Sequence, residues 1–538
     1  MLRHPTVISP RQNMKRTPPR GSYRTTCMTL AALTLAACGG GGGSDRNGEA
    51  PGANASAEQA CALLAGKTLA GATVTAASTV AASESAPIYC KVSATIAPQL
   101  HLELRLPQQW NGKLYYEGGG AYNGSIPALA GDNLSALKKG YATVNSDSGH
   151  TGDGFSAAFA LNDTLAANLF GSAAVPTVMS STREMVQAVY GKAPEKSYFE
   201  GCSEGGREAL MAAQRDPNLF DGIIARAPGY NWTGFMGHWN RNAKAVAAPG
   251  GQFTAAKLGL LAKAVRDACD AKDGIADGIV SNPQACTFDP AALRCAGGAD
   301  AGDSCLSDAQ LAVVRSRTSP ASFAGGAYTS AGLALNGQED DLLGWAANVT
   351  GSGNVRNSFH FLFQDTTVKN YIARDPAQDS LTYAYESNLA ALYSLAALND
   401  ATNTDLRPFK RSNAKLILWH GGGDPSLSPQ ATTDFYQAVT AAVGGQAAAD
   451  EFARYYIAPG VGHCGGSLGA DQTDLLGALD AWVVKDAAPG TLSATKVANG
   501  VVQASRPLCR FPQYPRYTGP ANDPAAAALA ANYTCTTP

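Results

Sequence analysis

Basic charge is scarce in this sequence. Lysine and arginine number 41 in 538 residues, against 43 aspartates and glutamates, for a formal net charge of −2. That excludes the broad positive surface with which proteins hold nucleic acid or anionic lipid. Beyond the first forty residues no apolar run resembles a membrane span. No internal repeat is found, which sets aside solenoids and repeat arrays. Histidine is also rare, with seven in the whole chain. Any chemistry that needs an imidazole therefore has few candidates.

What is present reads as an ordinary globular protein, with 45% hydrophobic and 16% charged residues. A chain of this length exceeds one normal core, so one large domain plus a second unit or insertion is expected. The 58 glycines imply many tight turns. Lys15, Arg16, Arg20 and Arg24 precede an apolar run, Met28 to Ala37, too short to cross a bilayer. Residues 1–37 are expected to be an export signal. The sequence Leu35-Ala36-Ala37-Cys38 resembles a bacterial lipoprotein box, in which Cys38 carries lipid and residues 38–58, beginning with Gly39 to Ser44, form a flexible tether. A plain signal peptide with a small-residue cleavage site is the other reading. The protein is expected outside the cytoplasm, as a periplasmic or outer-membrane lipoprotein or otherwise secreted. Any membrane contact would run through lipid on Cys38.

Twelve cysteines are present, two of them (Cys27 and Cys38) in the leader. An even ten in an exported chain implies a disulfide framework. Nearness along the chain pairs Cys61 with Cys90, Cys269 with Cys286, Cys295 with Cys305 and Cys509 with Cys535. Cys202 and Cys464 remain, far apart in sequence.

Strand and helix patterns alternate in two blocks. Lys113 to Tyr116, Tyr141 to Val144, Ser197 to Glu200 and Gly222 to Ala225 read as strands. Ser180 to Tyr190 and Glu204 to Arg215 read as helices. Residues 56 to 85 are Ala/Ser-rich and read as a short helix and loops. From about Tyr230 to Pro408 the alternation stops and loops are expected to dominate. It returns at Lys415 to Trp419 and Phe452 to Ile457. The expected fold class is α/β, a mostly parallel sheet covered by helices. Its first part would span residues 59–229, an inserted lid domain 230–408, and the second part 409–538. The insertion would sit over the strand C-termini, where α/β proteins bind ligands.

Gly201-Cys202-Ser203-Glu204-Gly205 fits G-x-S-x-G between a strand and a helix. A tight strand-to-helix turn lifts a serine hydroxyl clear of the sheet, and the helix N-terminus supplies N–H groups for an oxyanion. The bland alternative is an ordinary strand–helix turn. A serine nucleophile needs a base. His101 and His150 precede the serine, the wrong chain order for this fold, and His238 and His360 fall in the insertion. His420 and His463 remain. His463 follows a strand within a glycine-rich loop and is followed by Cys464, as Cys202 precedes Ser203. If these two cysteines pair, their Cα atoms lie within roughly 7 Å, and hydroxyl and imidazole are forced together. Asp424, in the loop after Leu416 to Trp419, would orient His463; Asp434 and Asp471 are weaker rivals. Oxyanion donors are expected from the Glu204 N–H and from the Gly118-Gly119-Gly120 loop, with Gly119 and Gly120 as candidates.

A second cluster, Cys269 to Ile279, carries Asp270, Asp273 and Asp277. Their side chains, with the Ile275 and Ile279 carbonyls, could wrap a calcium ion. By shape alone an acidic turn fits equally well. In the insertion, Arg356 and Ser358 are candidate substrate contacts beside Phe359, His360 and Phe361, although ordinary lid packing is the simpler account. Leu427, three residues after Asp424, is a candidate for the acyl pocket.

These residues together resemble the tannase/feruloyl esterase family. The matching stretches are Gly118 to Gly120, Thr143 to His150, Gly201 to Gly206, the aspartate-rich loop after Cys269, His420 to Asp424, Gly462-His463-Cys464, and Trp482-Val483 through Ala488-Pro489. The likeness runs from about residue 60 to the C-terminus. It implies an α/β-hydrolase core with a large lid, a disulfide tying the triad together, and structural calcium held in the lid by Asp270, Asp273, Ile275, Asp277 and Ile279. It implies a serine esterase acting on small esters of aromatic acids (gallate, ferulate and other hydroxycinnamates), with Ser203, Asp424 and His463 as the triad and no catalytic cofactor. Bacterial members include hydrolases of the mono(hydroxyethyl) ester of terephthalate; aliphatic Leu427 offers no aromatic clamp and weighs against that substrate. Rival readings are a peptidase or acyltransferase on the same triad, and a catalytically silent surface-binding lipoprotein.

Overall fold

Lys415–Gly421 is buried along its whole length, because it is an inner strand of a sheet covered on both faces. In the computed structural model, which describes residues 55–521 and 523–538, ten strands form that sheet. They are β1 (Thr68–Leu69), β2 (Ala72–Val80), β3 (Tyr89–Ile96), β4 (Leu100–Pro107), β5 (Lys113–Glu117), β6 (Ala142–Ser146), β7 (Lys196–Cys202), β8 (Gly222–Arg226), β9 (Lys415–Gly421) and β10 (Ala453–Ala458). Their order is β1-β2-β3-β4-β6-β5-β7-β8-β9-β10. Strands β6, β5, β7, β8, β9 and β10 run parallel, and β1 to β4 add an antiparallel wing that joins at β6.

Side chains alternate across this sheet with period two. Leu416 and Leu418 enter one apolar cluster with Met185 and Leu210. Ile417 and Trp419 enter another with Ala136, Leu475 and Leu479. The helices that cover the two faces are thereby fixed: α3 (Ala174–Tyr190) and α4 (Glu204–Arg215) on one side, α2 (Gly131–Lys138) and Leu475–Lys485 on the other. α1 (Ala57–Leu64) precedes the wing and is capped by Ser56. Gly191 ends α3 in the left-handed conformation, φ 74°, as glycine does at a helix C-terminus.

Two expectations need correction. The stretch 56–85 is a short helix followed by β2, not loops; half of β2 is exposed, so its small alternating residues carry little apolar signal. The segment between the adjacent strands β8 and β9 is not dominated by loops but divides about evenly between loops and helical residues, short 3-10 and π turns included. It holds α5 (Trp232–Ala247), α6 (Ala255–Cys269), α7 (Asp308–Thr318), α8 (Phe359–Thr367) and α9 (Leu389–Asn399). The α5 stripe of Trp232, Phe235, Met236 and Trp239 is interrupted by Gly234, Gly237, Asn240 and Asn242, all of them buried, which masks its helical period. The segment has its own apolar cluster, including Val246, Leu261, Val265, Val314 and Trp345. After β9 come α10 (Pro429–Ala442) and α11 (Leu475–Lys485). Two hairpins then close the chain, β11 (Leu492–Ala498) with β12 (Val501–Leu508) and β13 (Tyr514–Tyr517) with β14 (Tyr533–Thr536).

All five disulfides expected from the sequence are formed: Cys61–Cys90, Cys202–Cys464, Cys269–Cys286, Cys295–Cys305 and Cys509–Cys535. No described helix is long and apolar enough to cross a membrane. The export signal and Cys38 lie outside the described residues.

Candidate active site

Ser203 stands on the turn from β7 to α4 with φ 63° and ψ −115°. A non-glycine residue there costs on the order of 1–3 kcal/mol and persists only when its surroundings hold it. The Ser203 N–H donates to the Arg226 carbonyl at 3.0 Å, and its own carbonyl accepts from the Gly229 N–H at 2.9 Å. Glycine is needed nearby because backbones meet. A Cβ on Gly206 would lie 2.5 Å from the Arg226 carbonyl oxygen, and one on Gly205 would lie 2.7 Å from that of Gly119.

The Cys202–Cys464 bond, with Cα atoms 5.9 Å apart, brings the loop after β10 to this turn. Ser203 and His463 line the same cavity. His463 Nδ1 lies 2.7 Å from Asp424 Oδ2, so Nε2 is the nitrogen left for other work. Asp424 follows β9 and is wholly enclosed. Its Oδ1 accepts the N–H groups of Ser426 at 2.7 Å and Leu427 at 3.0 Å. His420 approaches Oδ2 from the other side at 3.1 Å, with its Nδ1 2.8 Å from the Thr432 hydroxyl. Burial alone would raise the Asp424 pKa, but the charge of His463 and the hydrogen bonds from His420 and His463 outweigh it and hold the carboxyl far below its usual range. For His463, burial is opposed and overcome by Asp424, and the imidazole pKa rises above its ordinary value. The rivals Asp434 and Asp471 are elsewhere: Asp434 accepts from Gln430, and Asp471 from the Gly466 N–H.

The glycine loop resolves into distinct roles. The Gly118 N–H donates to the Glu200 carbonyl, and the Gly119 N–H donates to Glu208 Oε2, both at 2.9 Å. Gly119 is therefore not a free donor, which corrects its assignment to the oxyanion site; its carbonyl accepts from the Gly205 N–H at 3.1 Å. The N–H groups of Gly120 and Glu204 have no hydrogen-bond partner among the described residues, and both residues line the cavity. The Glu204 side chain is buried against Arg207. Burial pushes its carboxyl up to about 8, with Arg207 acting against the rise. Arg207 in turn donates to the Gly171 and Phe170 carbonyls at 2.7 Å.

The cavity encloses about 530 Å³. Its apolar lining includes Trp232, Phe235, Met236 and Trp239 from α5, Phe363 from α8, and Leu427. Asn348 and Ser426 are polar groups in the same lining, joined by a 2.6 Å bond from the Ser426 hydroxyl. The lining also carries the charged groups Glu117, Asp132, Glu200 and Arg226. Leu427 thus lines the cavity as expected. Arg356 and Ser358 do not. Arg356 is a surface cation paired with Asp379 at 2.9 Å, and the buried Ser358 hydroxyl donates to the Val355 carbonyl while capping α8. The α5 aromatic lining, Glu208, and the place of His420 against Asp424 instead of at the serine went unread in the sequence. The i, i+3, i+4, i+7 stripe of α5, and Glu208 one helical turn after Glu204, were the signals available.

In the 270–279 loop, Asp270 accepts the N–H groups of Asp277 and Gly278, Asp273 those of Ile275 and Ser281, and Asp277 pairs with Arg506 at 2.9 Å. Burial pushes the Asp273 carboxyl up to about 6, and the Asp277 charge adds to the rise. A donor set of carboxylates, with the Ile275 and Ile279 carbonyls unused by other groups among the described residues, suits a hard cation. As they stand, no three His, Cys, Asp or Glu side chains converge on one point among the described residues.

A mostly parallel sheet with a serine on its strand-to-helix elbow, and an acid and an imidazole on loops after later strands in that order, defines an α/β-hydrolase. Residues 83–536 match the family described as tannase and feruloyl esterase. The chain is 33% identical to mono(2-hydroxyethyl) terephthalate hydrolase of Piscinibacter sakaiensis, over 84% of this chain and 85% of that one. It is 32% identical to a probable feruloyl esterase of Arthroderma benhamiae, over 77% and 79%. The crystal structure of feruloyl esterase B from Aspergillus oryzae shares the fold, with a TM-score of 0.77 at 21% identity, covering 89% of this chain and all of that one. The chain belongs to the tannase and feruloyl esterase family and is a carboxylic ester hydrolase of that family.

Proposed function

We propose that the protein hydrolyses esters of hydroxylated aromatic acids, feruloyl or galloyl esters, through a covalent acyl-serine. The supporting observation is the meeting of Ser203 and His463 in one cavity, with Asp424 on the far nitrogen of the imidazole. His463 takes the Ser203 proton as Oγ attacks the ester carbonyl. The carbonyl oxygen becomes an oxyanion held by the Glu204 and Gly120 N–H groups. As the tetrahedral adduct collapses, the alcohol leaves with the proton from His463. Water, deprotonated by the same histidine, then attacks the acyl-serine, and the acid is released. Asp424 keeps the imidazole in the tautomer this requires and balances its charge. No cofactor takes part.

The aromatic acyl group would rest against the α5 and α8 side chains, with Asn348 and Ser426 as partners for a phenol. The terephthalate monoester is the second reading, favoured by the relative from Piscinibacter sakaiensis. Its acid half carries a second carboxylate. Arg226 is the one arginine or lysine in the lining among the described residues, and its charge is already paired with Asp132 at 2.6 Å. A methyl-ester panel of gallate, ferulate and other hydroxycinnamates beside the terephthalate monoester decides the order: fastest turnover on a phenolic acid is expected, and preference for the terephthalate monoester would reverse it. Fluorophosphonate should label Ser203. Absence of label, or turnover of peptides and not esters, would overturn the esterase mechanism.

Three further assignments belong to this reading. The segment 230–408 acts as a lid domain between core parts 59–229 and 409–538. Residues 1–37 direct export, with Cys38 lipidated or, failing that, free secretion after cleavage. The loop of Asp270, Asp273, Ile275, Asp277 and Ile279 holds calcium with a purely structural role. Chelation should then lower the melting temperature and added calcium restore it, while initial rates at low temperature stay unchanged; a melting temperature indifferent to both would remove the ion.

A further inference from the structure

Gly120 can present its N–H to an oxyanion only if the loop that carries it is held still. Gly118, Gly119 and Gly120 stand in a row, and glycine has the widest backbone freedom of any residue. The peptides of this loop are trans, so the C=O of one residue and the N–H of the next point in opposite directions. The Gly119 carbonyl accepts from the Gly205 N–H at 3.1 Å. That turns the Gly120 N–H, in the same peptide plane, away from Gly205. The plane before it carries the Gly119 N–H, and here the partner is a side chain: Glu208 Oε2 accepts at 2.9 Å. With both flanking planes held, the two torsions of Gly119 are fixed.

Glu208 lies on α4, the helix that starts directly after Ser203, and is buried. Its Oε1 accepts from Asn123 Nδ2 and from the Ser148 hydroxyl, each at 3.2 Å. Asn123 Nδ2 also donates to Ser148 Oγ at 2.7 Å. Asn123 and Ser148 both have positive φ, 55° and 58°, a conformation that persists only where neighbours hold it. The Asn123 N–H returns to the Gly120 carbonyl at 2.8 Å, which closes the turn on the donor residue. One carboxylate thus gathers the loop after β5 and the loop after β6 onto the helix of the nucleophile. Its approach needs Gly118, where a Cβ would lie 2.9 Å from Oε2. Glu208 does not line the cavity. Burying a carboxylate is costly, and no proton transfer of the triad uses this one.

We propose that Glu208 is a positioning residue for the oxyanion site: its carboxylate sets the direction of the Gly120 N–H by clamping the peptide plane before Gly119. The proposal rests on the acyl-serine reading above, in which that N–H stabilises the tetrahedral adduct. The benefit falls on the transition state, where the oxyanion exists, and not on the bound ester.

Two variants test this beside the wild type on a methyl ester. Glu208→Met keeps the length of the side chain and removes both acceptor oxygens; Glu208→Gln keeps one acceptor. Phenylboronic acid is the oxyanion probe, because it adds to a serine hydroxyl as a tetrahedral anion. For Glu208→Met, kcat is expected to fall about tenfold to a hundredfold, less than or equal to the loss of one whole donor. KM should be unchanged, and the inhibition constant of the boronic acid should rise by a like factor. Glu208→Gln is expected to recover most of the loss. If Glu208→Met does not fold, Glu208→Asp, which keeps the charge but withdraws it from Gly119, is read in the same way. A side chain that only fills the core would change the melting temperature and leave kcat and boronic acid affinity alone. That result, or equal losses in the Met and Gln variants, would overturn the positioning role while leaving the esterase standing. A wild-type enzyme that neither cleaves the ester nor binds the boronic acid would overturn the acyl-serine reading and this inference with it.

Discussion

Asp424 is held on two sides by imidazoles and from a third by the N–H groups of Ser426 and Leu427. His463 gains most from that arrangement. Its pKa stands above the ordinary value of about 6.5 because Asp424 overcomes the effect of burial. The proton-accepting form is the neutral one, so activity is lost as pH falls through that raised pKa. The acid limb of kcat/KM should therefore lie above pH 6.5. Asp424→Asn removes the opposing charge and leaves burial to act alone; the limb should move to lower pH, and kcat should fall by roughly 10⁴-fold at neutral pH. A pH–rate profile on a methyl ester checks both, and an unmoved limb would detach Asp424 from His463. His420 acts through Asp424 and touches no substrate. His420→Ala should lower kcat by a smaller factor, about tenfold to a hundredfold, with KM unchanged, whereas a merely structural histidine would shift stability alone.

The unit that makes the site is a strand, a turn and a helix pressed against a glycine loop. Gly205 is where they touch, its N–H on the Gly119 carbonyl and no room for a Cβ. Gly205→Ala should force the loop outward and displace Gly120. We expect kcat to drop by about 10²-fold, the scale of one lost oxyanion donor, with a destabilisation of about 1–3 kcal/mol, read from kinetics and denaturant unfolding side by side. An enzyme of full activity would place the oxyanion elsewhere. This element was legible in the sequence, since β7, the elbow and α4 fall where the pattern puts them. The division of labour among Gly118, Gly119 and Gly120 was not, because it depends on Glu208 and Glu200, contacts that a local motif does not contain. Among the wing strands, β2 escaped because its small, half-exposed residues give little apolar pattern, whereas Leu100, Leu102, Leu104 and Leu106 of β4 alternate with His101, Glu103 and Arg105 and were a signal left unread.

Across the whole molecule, one covalent link spans a sequence separation of 262 residues and ties the two parts of the sheet beside Ser203 and His463. Cys202→Ala/Cys464→Ala should cost up to about 5 kcal/mol in the chain-entropy view. It should also reduce kcat/KM by about a hundredfold, because small displacements of reacting groups are expensive. Equal stability and rate in the variant would make the bond incidental. The cysteine count made this link readable. The aromatic wall was less so: α5 was hidden by its buried glycines and asparagines, and Arg356 and Ser358, candidate contacts for which lid packing is the simpler account, are a surface ion pair and a helix cap. The excursion between β8 and β9 carries most of the aromatic wall. The wall against which an acyl group would rest is thus written on one replaceable length of chain, apart from the elbow of Ser203 and the loops of Asp424 and His463. Grafting the segment between Arg226 and Lys415 from a relative would then re-tune choice of acid and leave the triad behind, so the scaffold is open to drift, or to engineering, in specificity without a change of chemistry.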